Sequence, residues 1–173
     1  MEHVVLVNEN DQVLGTMEKL QAHLEGKLHR AFSVFLFNDK KELMLQQRAF
    51  SKYHSGGLWS NTCCSHPRRG EDIVDAGKRR LHEELGIEAD VKHAFSFIYR
   101  AELDHDMIEH ELDHVLIGKY DAIEDFNPEE VADVKFMSLL ELQKDLKENP
   151  DIYTAWFRII FDRVKTELQA SLH

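Results

Sequence analysis

Cysteine, proline and glycine are all scarce in this 173-residue chain: two, three and eight residues respectively. The two cysteines are neighbours, Cys63 and Cys64. Adjacent cysteines do not staple loops together, so a disulfide framework is excluded and reduced thiols point to the cytoplasm. So little glycine and proline excludes a collagen-like or low-complexity chain, and 43% hydrophobic residues excludes a disordered one. Long apolar runs are missing as well. No stretch approaches the roughly 20 residues of a membrane span. The start, MEHVVLVNEN, places an acid before four apolar residues and lacks the basic flank of an export signal. The tail Ser171-Leu172-His173 matches no targeting signal. Basic residues are outnumbered, 21 Lys and Arg against 32 Asp and Glu, for a formal charge of -11. No blanket basic field is available for nucleic acid, and taken alone the charge also weighs against an anionic substrate. A chain of this length fits a single domain, residues 1–173, that completes its own core, so a monomer is expected.

What is present is ordered patterning. Apolar runs and alternation predict strands near Val4–Val7, Phe32–Phe37, Leu43–Gln47, Phe95–Ala101, Leu112–Tyr120 and Val134–Met137. Asn38-Asp39-Lys40-Lys41 reads as a hairpin turn, so the first half looks antiparallel. From Glu71 to Leu85 the period becomes helical, with Ile73, Val74, Gly77, Leu81 and Leu85 on one face and Gly86 as the stop. Ser138 with Glu141 forms a capping box for a short helix that ends before Pro150. Tyr153, Trp156, Phe157, Ile160, Val164 and Leu168 then mark a long amphipathic terminal helix. Together these predict an α+β, layered αβα domain around a mixed sheet.

The chemically dense segment is Asn61-Thr62-Cys63-Cys64-Ser65-His66-Pro67. In an extended segment Cys64 and His66 share a face, putting thiol and imidazole in one cavity. The plainer reading is a small buried Cys and a loop His. Glu109-His110-Glu111 repeats the spacing inside the run ELDHDMIEHELDH, whose plainer reading is a solvated acidic loop. Were it a strand, its two carboxylates would share one face, and facing inward they would need a cation or protons to neutralise them. With His23, His29 and His66 they would make a nitrogen and oxygen site suited to Mn²⁺, Mg²⁺ or Zn²⁺, with a sixth position open. Arg80 and Glu84 fall together at the edge of the predicted helix's apolar face. They are either an i,i+4 ion pair or, respectively, a phosphate-reaching cation and a metal ligand.

Two resemblances follow. The segment Arg79-Arg80-Leu81-His82-Glu83-Glu84-Leu85-Gly86-Ile87, with Glu71 upstream, resembles the Nudix box, G-x5-E-x7-R-E-U-x-E-E-x-G-U, where U is apolar. Counted back from Gly86, the first Gly of the box falls on Ser65 and the Glu after its Arg falls on Arg80, so one glutamate of the hydrolases is missing. The second covers nearly the whole chain. His23; His29-Arg30-Ala31-Phe32-Ser33; Gln47-Arg48-Ala49 with Lys52; Trp59 with Asn61-Thr62-Cys63-Cys64-Ser65-His66-Pro67; Glu83-Glu84-Leu85-Gly86; Tyr99-Arg100-Ala101; and Glu109-His110-Glu111 stand in the order of the type 1 isopentenyl-diphosphate isomerase family, which they resemble.

That resemblance implies a Nudix-like fold and the interconversion of isopentenyl and dimethylallyl diphosphate by proton addition and removal. It implies Cys64 and Glu111 as the proton-transfer pair, with Tyr99 beside Glu111. His23, His29, His66, Glu109 and Glu111 match the family's metal ligands, and Glu84 matches the ligand of a Mg²⁺ that bridges to the substrate. Lys19, Arg48, Lys52 and Arg80 match positions that contact the diphosphate. Bound cations and these side chains would then make a locally positive pocket inside an acidic protein. Trp156 matches an aromatic lid, although its place on the terminal helix's apolar stripe also suits a core residue. A Nudix diphosphate hydrolase is the alternative.

Overall fold

The computed structural model describes residues 2–52 and 54–172; the tail's last residue, His173, lies outside them. The order is β1 (His3–Val7), β2 (Val13–Glu18), α1 (Lys19–Glu25), β3 (His29–Phe37), β4 (Glu42–Arg48), β5 (Trp59–Ser60), β6 (Cys63–Ser65), α2 (Ile73–Leu85), β7 (Val91–Glu102), β8 (Ile108–Lys119), β9 (Val131–Ser138), α3 (Leu139–Glu148) and α4 (Ala155–Ser171). Alternation along β3 sets the layers. Phe32, Val34 and Leu36 pack with Leu81 and Leu85 of α2, while Phe35 and Phe37 pack with Phe157, Ile160 and Val164 of α4. A strand covered on both faces reads as a continuous apolar run, which is how it appears in the sequence. Each such fully buried Phe, Ile or Val side chain contributes about 1.5–3 kcal/mol. The sheet is mixed as expected: β3 runs parallel to β8 and antiparallel to β1, β4 and β6. No helix is long and apolar enough to cross a membrane among the described residues.

Several expected boundaries shift, each for a local reason. The helix expected from Glu71 begins at Ile73, because the Asp72 side chain accepts from the Val74 and Asp75 amides, and Glu71 is left outside to pair with Arg79. The terminal helix begins at Ala155 rather than Tyr153, because Thr154 caps it through the Phe157 amide. β8 starts four residues earlier than expected and takes in Glu109-His110-Glu111, so the two glutamates are buried in a strand, while Asp104–Asp106 of the same acidic run form an exposed turn. β2 and α1 were not expected. β2 has no buried face to print an alternation, and α1 buries Ala22 and His23 while Leu20 and Leu24 face outward.

One irregularity makes room for a site. β3 and β4 are paired at the hairpin end, Phe37 opposite Leu43, and then part company. Residues 59–65 enter the gap: β5 pairs with β4 and β6 with β3. Thr62 ties the wedge to both walls, its hydroxyl donating to Met44 O (2.6 Å) and accepting from the Leu36 amide (3.0 Å). The inserted segment is the Asn61–His66 string.

Candidate active site

Strand register brings the reactive side chains into rows. His29 stands opposite Glu111 across β3 and β8, and Tyr99 opposite Glu111 across β7 and β8. Cys64 stands opposite Ser33 on the other edge of β3. His66 follows β6, and α1 carries the buried His23.

The ligand atoms of His23, His29, His66 and Glu111 all lie within 4.8 Å of one another. His29 Nε2 is 3.0 Å and His66 Nε2 2.9 Å from the same Glu111 Oε2, and the two imidazole nitrogens are 3.3 Å apart. The other nitrogen of His29, Nδ1, is 2.9 Å from Lys27 O and donates there. That bond leaves Nε2 to meet the carboxylate either as a second N–H or around a shared cation. His23 is buried, yet neither of its ring nitrogens has a hydrogen-bond partner among the described residues. Buried polar atoms without partners are rare, so this orphaned ring aimed at three other ligand atoms fits a divalent ion. Glu109, the fifth expected ligand, is not in this tight group but lines the same pocket. The Tyr99 hydroxyl reaches both carboxylates, 2.5 Å from Glu111 Oε1 and 3.1 Å from Glu109 Oε2. His110 turns away and bonds Gly26 O at 3.2 Å, as the alternation requires.

Burial and charge set the protonation states. Burial favours a neutral Glu111, but the bonds and charges of His29 and His66 outweigh it and hold this carboxyl well below its usual range. Glu109 lacks those partners, so burial and the charge of Glu111 push it well above. Burial lowers His23 to about 4, with His66 adding to the effect. His29 is held up because its bond to Glu111 outweighs burial, whereas in His66 burial wins. Two carboxyls two residues apart are thus driven in opposite directions by their neighbours.

The two cysteines face opposite ways, as neighbours in a strand must. Cys64 lines the pocket; its thiol donates to Asn61 Oδ1 at 2.9 Å and lies 3.6 Å from Ser33 Oγ. Burial and the nearby Asp113 carboxyl raise it, so it rests as a thiol. Cys63 points to the α2 side, where its thiol donates to Glu84 Oε2 at 2.7 Å. Burial raises Glu84 in spite of the Arg80 charge. Of the two thiols, Cys64 is the one that lines the pocket with His66.

All the expected diphosphate contacts, Lys19, Arg48, Lys52 and Arg80, line this pocket together with Glu84 and Trp156. Arg80 Nη2 is 3.7 Å from Glu84 Oε1, so the i,i+4 ion pair is present and also faces the cavity. Trp156 is both core and wall: it is buried, its Nε1–H donates to Ser60 Oγ at 3.1 Å, and the Arg48 guanidinium carbon stands 5.0 Å from its ring centre.

Sequence reasoning missed four residues of the site. Glu2 pairs with Lys19 at 2.7 Å, and Glu130 pairs with Lys52 and, at 3.6 Å, with Arg80. Neither sits in a spaced motif, so no signal marked them. His54 stands edge-on to Trp156 at 5.7 Å between ring centres, and burial next to Arg48 lowers it to about 3, leaving it neutral. Asp113 was findable, because the alternation that pairs Glu109 with Glu111 makes it next in the row. It is buried, and burial with the charge of Glu111 raises it far above an ordinary carboxyl. Four basic side chains therefore share the pocket with five glutamates, and on their own they do not make it positive.

The class that this fold and site define is Nudix: the NUDIX domain family matches residues 27–157. Among solved structures, a Deinococcus radiodurans protein superposes with a TM-score of 0.78 at 20% identity, covering 94% of this chain and 98% of that one. The MutT protein of Methanosarcina mazei Go1 gives 0.63 at 20% identity, covering 81% and 94%. At such identities these show the fold alone. The isopentenyl-diphosphate Delta-isomerase of Pectobacterium atrosepticum is 48% identical over 170 residues, 98% of this chain and 95% of that protein. Isopentenyl-diphosphate Delta-isomerase 2 of Aromatoleum aromaticum is 49% identical over 163 residues, 94% and 86%. The chain belongs to the isopentenyl-diphosphate Delta-isomerase family.

Proposed function

We propose that this chain interconverts isopentenyl and dimethylallyl diphosphate, with Cys64 and Glu111 as the proton-transfer pair and Tyr99 beside Glu111. The observation that supports these roles is the joint placement of a protonated thiol and an ionised carboxylate in one pocket, one strand apart on either side of β3. Moving an unactivated double bond passes through a tertiary carbocation, which requires an acid at one carbon, a base at another and no water. Tyr99 bonds the Glu111 carboxyl and fixes its orientation. Trp156 offers a π face to the cationic centre, and the neutral His54 adds no opposing charge beside it.

His23, His29, His66, Glu109 and Glu111 would hold a divalent ion, Mn²⁺, Mg²⁺ or Zn²⁺, and Glu84 the Mg²⁺ that accompanies the diphosphate. Such an ion, when bound, polarises the carboxyl it touches. Lys19, Arg48, Lys52 and Arg80 bind the diphosphate, the arginines as forks and the lysines as point charges. Separate free thiols suit a reducing compartment, and we place the protein in the cytoplasm acting as a monomer, since its own helices cover both faces of the sheet.

Incubation with isopentenyl diphosphate and Mg²⁺ in D₂O is expected to give deuterated dimethylallyl diphosphate without phosphate release. Loss of general acid or base costs about 10²–10⁴-fold, so Cys64→Ala and Glu111→Gln should each lose at least that much turnover. A fully active variant of either refutes its assignment, and phosphate or diphosphate release without exchange points to a hydrolase instead.

A further inference from the structure

We infer that Glu130 is a specificity-determining residue that makes the pocket select a metal-charged diphosphate over a bare anion. The inference deepens the proposed function and rests on its assignment of Lys52 and Arg80 to the diphosphate. One oxygen of Glu130, Oε2, contacts both of these cations, Lys52 Nζ and, at 3.6 Å, Arg80 Nη2. This is a built arrangement. The Ala49 amide donates to Glu130 O at 3.0 Å, the Lys52 amide to Ala49 O at 3.2 Å, and the Glu130 amide to Asn127 O at 3.0 Å, so acid and lysine hang from the same backbone ties. The same Arg80 Nη2 stands 3.7 Å from Glu84 Oε1, and Lys19 meets Glu2.

Lys19, Lys52 and Arg80, among the cations that await a diphosphate, thus already carry carboxylates. An anion arriving alone shares Lys52 and Arg80 with Glu130, and like charges held on the same donors repel at short range with little solvent between them. A diphosphate that brings a divalent cation carries less net charge and gives the Glu84 and Glu130 carboxylates a positive partner to face. Arg80 Nη2, which lies between these two carboxylates, shows that a cation is accommodated there. Glu130 therefore penalises the metal-free ligand and leaves the metal-bound one little affected.

The test is calorimetric binding of inorganic diphosphate to the purified protein, in buffer freed of divalent ions and again with excess Mg²⁺. Wild type should bind the Mg²⁺ complex more tightly than free diphosphate. Glu130→Gln, which keeps shape and removes charge, should tighten the metal-free affinity roughly tenfold and shrink the preference for the Mg²⁺ form by a similar factor. Glu130→Ala should shrink it too, with circular dichroism showing the fold intact in both. An unchanged preference, or weaker metal-free binding in Glu130→Gln, overturns the inference and makes Glu130 an anchor for Lys52 instead. If wild type binds diphosphate in neither buffer, the diphosphate site itself fails and this inference with it; isomerisation in D₂O, measured separately, tells the two failures apart.

Discussion

Cys63 shows how much one position can carry outside the reaction itself. Its thiol is fully buried and gives its hydrogen to Glu84, whose carboxyl is also buried. Removing one partner leaves the other unsatisfied, at about 1–3 kcal/mol. Cys63→Ala should therefore lower unfolding stability by that amount plus a small cavity cost, while Cys63→Ser retains the donor and recovers part of it. Urea unfolding measures both, and a Ser variant as unstable as the Ala variant would show that the thiol's volume matters and its hydrogen bond does not. The same strand alternation decides the roles of both cysteines. It was legible in the sequence for Cys64 through its spacing to His66. For Cys63 it was not, because its partner lies 21 residues away on a helix packed from the other side.

At the scale of elements, α2 is the piece whose C-terminal stop was most legible and whose position matters most. It carries Arg80 and Glu84 to the pocket, and its stop at Gly86 has φ of 65° with no room for a side chain: a Cβ there would stand 2.7 Å from the Asp125 carbonyl oxygen. The Glu84 carbonyl accepts from Asn127 N at 2.9 Å, so the helix end also fixes the loop that leads to Glu130. Gly86→Ala must both adopt a left-handed conformation, at about 1–2 kcal/mol, and displace that backbone. We expect a loss of at least about 2 kcal/mol in urea unfolding, a typical single-site penalty for combined strain and overpacking; a variant within error of wild type would show that the loop moves freely. By contrast β2 and α1 were hidden. An edge strand with no buried face and a seven-residue helix that turns its leucines outward print no periodicity, although α1 is the element that brings in His23.

For the molecule as a whole, charge is the quantity whose meaning changed. The surplus of acids implied an unwelcoming surface for anions, yet part of that surplus lies inside, as glutamates lining one pocket with four basic residues. Another acid, Glu71, serves stability by a two-pronged pair with Arg79, 2.9 and 3.0 Å. The Arg79 bond holds its carboxyl below the ordinary value of 4.5, burial opposing. A depressed carboxyl adds stability that is present above the unfolded value and lost as pH falls through the folded one. The Glu71→Gln penalty, about 1 kcal/mol near neutrality, should therefore fade in acid below 4.5, and a penalty equally large in acid would sink this account. By itself the sequence determined the layered αβα class, most of the strands and the stop of α2 at Gly86, and it put forward the residues that we propose react, because periodicity, caps and spacing act between near neighbours in the chain. Only the tertiary structure decided that Glu109–Glu111 lies in a strand with both glutamates buried, which thiol faces which carboxyl, and that Glu2 and Glu130 already pair with Lys19, Lys52 and Arg80. Those depend on register and on charges brought together across the sheet, where local pattern leaves no mark.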